Sequence, residues 1–329
     1  MLSHSKYGDI SNSLLITGYC SLPFLLYLFL SVLLRDILLG INRLFKFVSA
    51  DVLRSTKVKI VTVWILFLLP LLVVIYGRLN YTTLEINRYH IQIPKKSSTM
   101  QHMKVALASD FHIKSWTDIG FMKRFVNLVN SENVDLLLLP GDILEGDRQD
   151  EQLLEFERLF RAIQTTYGVF ASVGNHESHR EGAVEDFFQA ANIIVLRDTA
   201  VVVDSAFTLI GKDDGHANNK KAIEELVRMT PGNLPVIVLD HRPTDIERIS
   251  GAGAEMLVSG HTHYGQLWPI NFITELIYDV SWGHKKIRNT HIFVTSGVQL
   301  WGPPVRTAGD SEIMMIDVDF VRPCPPLNF

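Results

Sequence analysis

The chain has 329 residues, enough for one large domain or two small ones. Lysine and arginine number 31 against 35 aspartate and glutamate, a balance that does not indicate general nucleic-acid binding. The mean hydropathy of +0.16 is high for a soluble enzyme, and the apolar excess lies at the N-terminus. Cys20 and Cys324 lie near opposite ends and predict neither a disulfide framework nor a thiolate metal site.

Two uncharged stretches near the N-terminus predict membrane-spanning helices. Leu14–Leu34 and Ile60–Tyr76 contain no charged residue and are dominated by leucine, isoleucine, phenylalanine and valine. At about 1.5 Å per residue both can cross a hydrocarbon core of about 30 Å, the second near the short limit. A cleaved signal peptide is the alternative for the first stretch. Its length, the preceding acidic residue and the lack of a small-residue cleavage site argue against that alternative.

The connector between the two stretches is basic. Asp36–Val48 has apolar residues at helical spacing, which predicts an amphipathic helix on the membrane surface, with a solvated connector as the alternative. Six basic residues place the connector in the cytoplasm, whereas four that follow the second stretch favour the opposite orientation. We expect an inner-membrane protein with its C-terminal region on the cytoplasmic side. The six basic residues of the connector are Arg35, Arg43, Lys46, Arg54, Lys57 and Lys59. The four that follow the second stretch are Arg78, Arg88, Lys95 and Lys96.

Beyond the spans the pattern alternates between strands and helices. Apolar runs typical of strands are separated by amphipathic segments typical of helices, and two late strands follow after helix signals have ceased. This pattern predicts an α/β fold of two stacked mixed β-sheets flanked by helices. We divide the chain into a membrane anchor, a linker with a lead-in strand, and a C-terminal domain, at residues 1–80, 81–102 and 103–329.

Polar side chains of metal-ligand types follow the ends of five predicted strands. Because open α/β sheets place their sites at the carboxyl ends of strands, we expect these side chains to converge. Carboxylate and amide oxygens mixed with imidazole nitrogens suit Mn²⁺, Fe or Zn²⁺ rather than Ca²⁺. The sequence therefore predicts a two-metal site. In chain order the residues are Asp110, His112, Asp142, Asn175, His176, His241, His261 and His263.

Three glycines each precede one of these residues. Gly141, Gly174 and Gly260 are typical of tight turns that permit positive φ. A tight turn also directs the next side chain into a cleft.

Five short blocks of the sequence together resemble the signature of the calcineurin-like metallophosphoesterases. In chain order they are Asp-x-His, Gly-Asp, Gly-Asn-His-Glu, a single His and Gly-His-x-His. The resemblance covers about two-thirds of the chain, from Val105 onward. It implies an α/β/β/α sandwich that binds two divalent ions, Mn²⁺ first, with Fe or Zn as alternatives. The first ion would be held by Asp110, His112, Asp142 and His263. The second would be held by Asn175, His241 and His261, with Asp142 bridging both.

The expected reaction also follows from chemistry. Two divalent ions about 3.5–4 Å apart can clamp the attacking and leaving oxygens of an in-line displacement at phosphorus. The leaving oxygen still needs a proton or a positive neighbour, and His176, beside Asn175, is the catalytic candidate. In the resembled family the equivalent histidine has that role.

The spans narrow the substrate class to membrane-associated phosphoesters. A near-neutral chain without a basic and aromatic patch argues against a nuclease. The chain resembles the membrane-anchored bacterial branch of the family, and also its UDP-2,3-diacylglucosamine pyrophosphatases of lipid A synthesis. That implies release of UMP and 2,3-diacylglucosamine 1-phosphate, with the bilayer and a lipid-linked nucleotide as partners and no nucleic acid. The alternatives are a broad-specificity or extracytoplasmic phosphodiesterase for phospholipid or cell-wall esters, and a non-catalytic membrane scaffold.

The sequence leaves the roles of five residues near the motifs undecided. Tyr264 stands where many family members have glycine, and its ring is either a pocket wall or a packing variant. His179 is either a site residue or a surface histidine. Arg180, Arg242 and Arg306 are candidates for binding phosphate, although a solvated arginine is the ordinary interpretation of each.

Overall fold

A computed structural model describes residues 3–94, 100–114, 117–145, 151–178, 183–214 and 221–321. Lys95, Lys96, His179, Arg180 and Cys324 lie outside the described residues. The chain forms two compact units. The first comprises Met1–Thr82 and Trp301–Thr307, and the second comprises Thr83–Leu300 and Ala308–Phe329.

The first unit is helical. Its helices are α1 (Ser3–Phe45), α2 (Ala50–Arg54) and α3 (Thr56–Thr82). Two segments, Leu14–Phe45 and Thr56–Thr82, are long and apolar enough to cross a membrane. Most of the large apolar side chains described in α1 and α3 are exposed, as suits helices whose solvent is lipid.

The connector differs from the prediction. α1 continues without a break to Phe45, so Asp36–Val48 is not a separate surface helix. No proline or paired glycine interrupts the chain at that point, and the side chains of Arg35 and Asp36 form an ion pair at 2.7 Å on the helix surface. The helix ends where the Asn42 side chain bonds both the N–H and the carbonyl of Val48, at 2.7 and 2.9 Å.

We expect alkaline carbonate to leave the full chain in the membrane pellet. Each of the two segments is long enough to insert across a bilayer, and carbonate removes only proteins held at the surface. Immunoblotting of pellet and supernatant measures the outcome, with a peripheral protein of the same membranes as the control. Complete release into the supernatant would contradict the spans and leave only a surface attachment.

The second unit contains two six-stranded sheets. The first has the order β1-β12-β2-β3-β4-β5 and the second β10-β11-β9-β8-β7-β6. Both are mixed, because β12 runs parallel to β1 and antiparallel to β2, and the second sheet ends in antiparallel hairpins. The strands are β1 (Leu84–Pro94), β2 (His102–Leu107), β3 (Leu136–Pro140), β4 (Val169–Ser172), β5 (Ile194–Val195), β6 (Thr199–Val203), β7 (Phe207–Gly211), β8 (Val236–Leu239), β9 (Met256–Ser259), β10 (Gly283–Ile287), β11 (Thr290–Val294) and β12 (Ser311–Val321).

Three apolar clusters give the second unit its layers. The middle cluster joins residues of both sheets, such as Leu107 and Val258, so the sheets stack face to face. The outer clusters join each sheet to its own helices, as Phe125 of α4 and Ile249 of α8 illustrate. The predicted α/β fold of two stacked mixed sheets flanked by helices is confirmed. The helices are α4 (Ile119–Ser131), α5 (Glu151–Arg161), α6 (Ala183–Ala190), α7 (Ile223–Arg228), α8 (Ile246–Ala252) and α9 (Asn271–Ile277).

The lead-in strand agrees with the prediction, whereas the later helices differ from it. The lead-in segment contains β1, which pairs with β12 along its whole length from Leu84 to Pro94. Helix formation does not cease before the late strands, because α9 lies between β9 and β10. α8 and α9 have 7 residues each, too few to show a helical period in the sequence.

Candidate metal centre

The predicted ligands lie at the carboxyl ends of five strands drawn from both sheets. β2, β3 and β4 of the first sheet are followed by the Asp110, Asp142 and Asn175 segments, and β8 and β9 of the second by the His241 and His261 segments. The ligand types thus converge where the strand ends of the two sheets meet.

The side chains form three overlapping groups of three residues. Within each group, the ligand atoms lie within 4.8 Å of one another. Asp142 belongs to two of the groups. Its Oδ2 lies 3.1 Å from His241 Nε2 and 3.9 Å from His112 Nε2. The groups are Asp110, His112 and His263; His112, Asp142 and His176; and Asp142, His241 and His261.

Asn175 supplies a separate indication that a cation fits. Its side-chain Oδ1 is buried and accepts no hydrogen bond from any described residue. A buried amide oxygen without a donor carries a desolvation cost that a bound cation would offset. The donor chemistry of the surrounding carboxylates and imidazoles suits a divalent transition ion.

Hydrogen bonds fix the orientation of two histidines. His241 Nδ1 donates to the carbonyl of Pro140 at 2.8 Å, and His112 Nδ1 donates to Glu145 at 3.0 Å. Glu145 also pairs with Lys114 Nζ at 2.7 Å, so its carboxylate is held in place. With Nδ1 used as the donor, each ring directs its Nε2 toward the predicted ion, and a bound ion would replace any proton on that nitrogen.

Glu177 organises the loops that carry two predicted ligands. Its carboxylate is 2% exposed and accepts backbone N–H bonds from Asp142 at 2.9 Å, Leu144 at 2.8 Å and Gly174 at 2.7 Å. Burial raises the pKa of Glu177 to about 7, and the charge of Asp142 adds to that shift. Glu177 thereby ties the loop after β3 to the loop after β4. No role for Glu177 is evident from the sequence, although it directly follows His176.

The carboxylates of the cluster attract positive charge. Burial opposes a charged imidazole at His241, yet the adjacent Asp142 carboxylate raises the His241 pKa to about 10. Burial raises the pKa of Asp110. Burial, followed by the neighbouring charge of His241, lowers the pKa of His261 to about 3. The cluster therefore holds a proton at His241, in the position where a cation is predicted.

Five of the predicted ligands have left-handed backbone conformations. Non-glycine residues seldom adopt positive φ, and such strain concentrates at functional sites. Each tight turn directs a polar side chain inward at the end of a strand. The φ values are 57° at Asp110, 43° at His112, 52° at Asp142, 70° at His261 and 48° at His263.

The three glycines have different reasons for their identity. Gly141 has a φ of 80°, as a tight turn requires. Gly174 and Gly260 do not have positive φ, which corrects the expectation for these two positions. A Cβ on Gly174 would lie 2.1 Å from Asp142 Oδ1, and one on Gly260 would lie 2.2 Å from Asp110 Oδ2. Close approach to a carboxylate is what excludes a side chain there.

We expect Gly260→Ala to destabilise the second unit by about 1–3 kcal/mol, the usual cost of overpacking, and to weaken metal binding by displacing Asp110. Thermal unfolding and metal titration measure the two effects. Gly232→Ala is the matched control, because no atom lies within 4 Å of the added Cβ. Equal behaviour of the two variants would contradict the close-approach argument.

The structure gives the surroundings of three of the five residues whose roles the sequence left open. Tyr264 donates its hydroxyl to Glu275 of α9 at 2.7 Å, and its ring lies 5.0 Å from that of Trp282. Arg242 forms an ion pair with the carboxylate of Asp214, so its guanidinium is already engaged. Arg306 is buried and belongs to the first unit. Arg242 lies near enough to the predicted ligands for its charge to contribute to the lowered pKa of His261.

Comparisons with known proteins agree with this geometry. The family described as calcineurin-like phosphoesterase matches residues 103–265. An uncharacterized metallophosphoesterase of Helicobacter pylori is 29% identical, over 65% of this chain and 59% of its own length. The phosphodiesterase YaeI of Escherichia coli is 25% identical, over 65% of this chain and 82% of its own. The chain thus spans 59% of the Helicobacter relative's length.

A vertebrate relative also bears on the apolar helices. A transmembrane protein with metallophosphoesterase domain of Danio rerio is 25% identical, over 69% of this chain and 55% of its own length. Together with the two apolar helices, this similarity indicates a membrane anchor in the first unit. The family match begins at Met103 and ends at Gly265, so it includes every predicted ligand from Asp110 to His263. The chain therefore carries a calcineurin-like metallophosphoesterase domain at residues 103–265.

Proposed function

We propose that the second unit hydrolyses phosphoester or pyrophosphate bonds with two divalent ions. The observation that carries the proposal is the position of Asp142, whose Oδ2 lies 3.1 Å from His241 Nε2 on one side and 3.9 Å from His112 Nε2 on the other. A carboxylate shared between two groups of ligand atoms is what a two-metal phosphohydrolase requires.

In this proposal Asp110, His112 and His263 hold one ion, Asn175, His241 and His261 hold the other, and Asp142 bridges them. When bound, the ions supply Lewis-acid stabilisation of charge on the phosphoryl oxygens and acidify the attacking water. Manganese is the ion we favour, because the donor set mixes hard oxygen with imidazole nitrogen. Fe and Zn remain the alternatives.

His176 is the proposed donor to the leaving oxygen. Its side chain is 23% exposed, whereas those of His112 and His241 are 1% and 0% exposed. Its backbone N–H donates to Asp142 Oδ1 at 2.9 Å, which fixes the residue beside the proposed bridge. The more open ring can therefore reach a substrate atom, while its backbone supports the ligand.

For the substrate we propose UDP-2,3-diacylglucosamine, split to UMP and 2,3-diacylglucosamine 1-phosphate in lipid A synthesis at the cytoplasmic side of the inner membrane. The two apolar helices support a substrate that resides in a membrane. The near balance of charge supports a lipid-linked nucleotide over a nucleic acid.

The test is an assay of the full chain, purified in detergent and loaded with Mn²⁺. UMP release from UDP-2,3-diacylglucosamine is compared with hydrolysis of bis-nitrophenyl phosphate and a panel of phospholipids. The proposal expects UMP release that depends on the metal and is abolished by chelation. Hydrolysis of simple diesters without UMP release would contradict the substrate and keep the reaction class. No hydrolysis of any ester by fully loaded protein would contradict both.

The basic connector favours a second candidate, an extracytoplasmic phosphodiesterase. Arg43, Lys46 and Arg54 lie between the two uncharged stretches, Leu14–Leu34 and Ile60–Tyr76, and the positive-inside rule then places the catalytic unit outside. Protease accessibility in intact spheroplasts separates the candidates. Protection of the catalytic unit supports the cytoplasmic proposal, whereas digestion without lysis supports the second candidate.

A further inference from the structure

The exposed apolar side chains of the second unit are concentrated beside the metal centre. Among its described residues, ten large apolar side chains are exposed, and six of these lie between Trp268 and Trp282. Four belong to α9, which has only 7 residues, and Leu276 is 88% exposed. We call this surface the α9 face: Phe272, Ile273, Leu276 and Ile277.

The α9 face reverses the usual amphipathic arrangement. Its members follow the spacing i, i+1, i+4 and i+5, which places them on one side of a helix. The polar Asn271 is buried, whereas the apolar side chains point outward. A helix with this orientation is expected to have an apolar neighbour in place of water.

Two contacts join α9 to the metal centre. Tyr264, which follows the predicted ligand His263, donates its hydroxyl to Glu275 of α9 at 2.7 Å. Tyr278, directly after α9, has its ring centroid 6.3 Å from that of His261. The α9 face therefore belongs to an element that lies beside two of the predicted ligands, His261 and His263.

The chain joins the second unit directly to the second of the apolar helices. Only Thr83 separates the end of α3 from the start of β1. The second unit is therefore joined through a single residue to a helix that is long and apolar enough to cross a membrane.

We propose that the α9 face inserts into the surface of the bilayer that holds α1 and α3, and so docks the mouth of the metal centre on the membrane. Exposed aromatic and aliphatic side chains beside Trp268 and Trp282 suit the interfacial zone, where an apolar face is buried about 5–10 Å. Lys285 and Lys286 are exposed on β10 and suit anionic headgroups. The occupant is the bilayer itself, and the inference does not depend on which phosphoester is cleaved.

The test uses the full chain in nanodiscs that hold one copy each and contain anionic phospholipid. In a background of Cys20→Ala and Cys324→Ser, an environment-sensitive fluorophore is attached at Leu276→Cys. The matched control is Met229→Cys, which is 58% exposed and directly follows α7. Ile273→Cys provides a second reading, should Leu276→Cys fail to fold. Quenching is measured with nitroxide lipids labelled near the headgroup and near the chain end.

The proposal expects blue-shifted emission from the fluorophore at both α9 positions. The nitroxide near the headgroup should quench this emission strongly, and the nitroxide near the chain end should quench it more weakly. Neither nitroxide should quench the fluorophore at Met229→Cys. Water-like emission at both α9 positions would overturn it. So would shielding that nitroxide lipids do not quench, which indicates a protein neighbour. Shielding that appears only after a two-chain lipid substrate is added would assign the face to substrate acyl chains and also overturn the proposal.

Discussion

Asp142→Asn is expected to lower activity by more than about 100-fold and to reduce the bound metal to one ion or fewer per chain. Loss of a residue that merely supports a ligand costs about 10–100-fold in affinity or activity, so loss of a bridging ligand should exceed that range. Asp142 is the only carboxylate present in two of the three groups of ligand atoms among the described residues. Its asparagine isostere retains the shape and removes the charge that both ions need.

Metal analysis, activity and the melting temperature are measured together for this variant. Asp319→Asn is the matched control, because it is the same substitution on β12, outside the metal groups. The control should keep both metals and full activity. An Asp142→Asn protein that stays folded, keeps two ions and turns over normally would contradict the bridging role.

His176→Ala is expected to lower kcat by about 10²–10⁴-fold, the usual contribution of a positioned general acid, with metal content unchanged. Burial lowers the pKa of His176, and the charge of Asp142 opposes that shift. Its Nε2 lies 3.9 Å from Asp142 Oδ2, in a group that could also hold an ion, so metal content must be measured with the rate.

The leaving group separates the possible roles of His176. A nitrophenolate leaves without a proton, so the loss should shrink for a nitrophenyl ester and stay full for a pyrophosphate lipid. His90→Ala is the control, because His90 is an exposed histidine on β1. Equal losses for both substrates would mean that His176 positions phosphate. A parallel loss of metal would make it a ligand.

The convergence of the predicted ligands could be inferred from the sequence because the information is local. Each predicted ligand directly follows an apolar strand, and strand ends converge in any stacked arrangement of parallel strands. The apolar segments were equally clear, since length and the absence of charge are sufficient to recognise them. The three glycines could be recognised from the sequence. The reason why Gly174 and Gly260 must lack a side chain could not, because it depends on their distances to Asp142 and Asp110 in the folded chain.

The missed features depend on contacts between distant segments. Glu145 orients His112 across 33 positions of sequence, and Arg242 is engaged by Asp214 across 28. Neither partner belongs to a motif that could be recognised alone. α9 was missed because a short helix with its apolar side outward has neither the length nor the burial pattern that periodicity detects. Its outward face is now the basis of the docking proposal.

The metal content of fully loaded protein tests the central claim most directly. The chain, purified in detergent, is stripped by chelation, reloaded with Mn²⁺, freed of excess ion and analysed by mass spectrometry of the elements. The shared position of Asp142 predicts about two ions per chain, as a two-metal site requires, and about one or fewer for Asp142→Asn. A folded wild-type chain that retains close to zero ions would contradict the account.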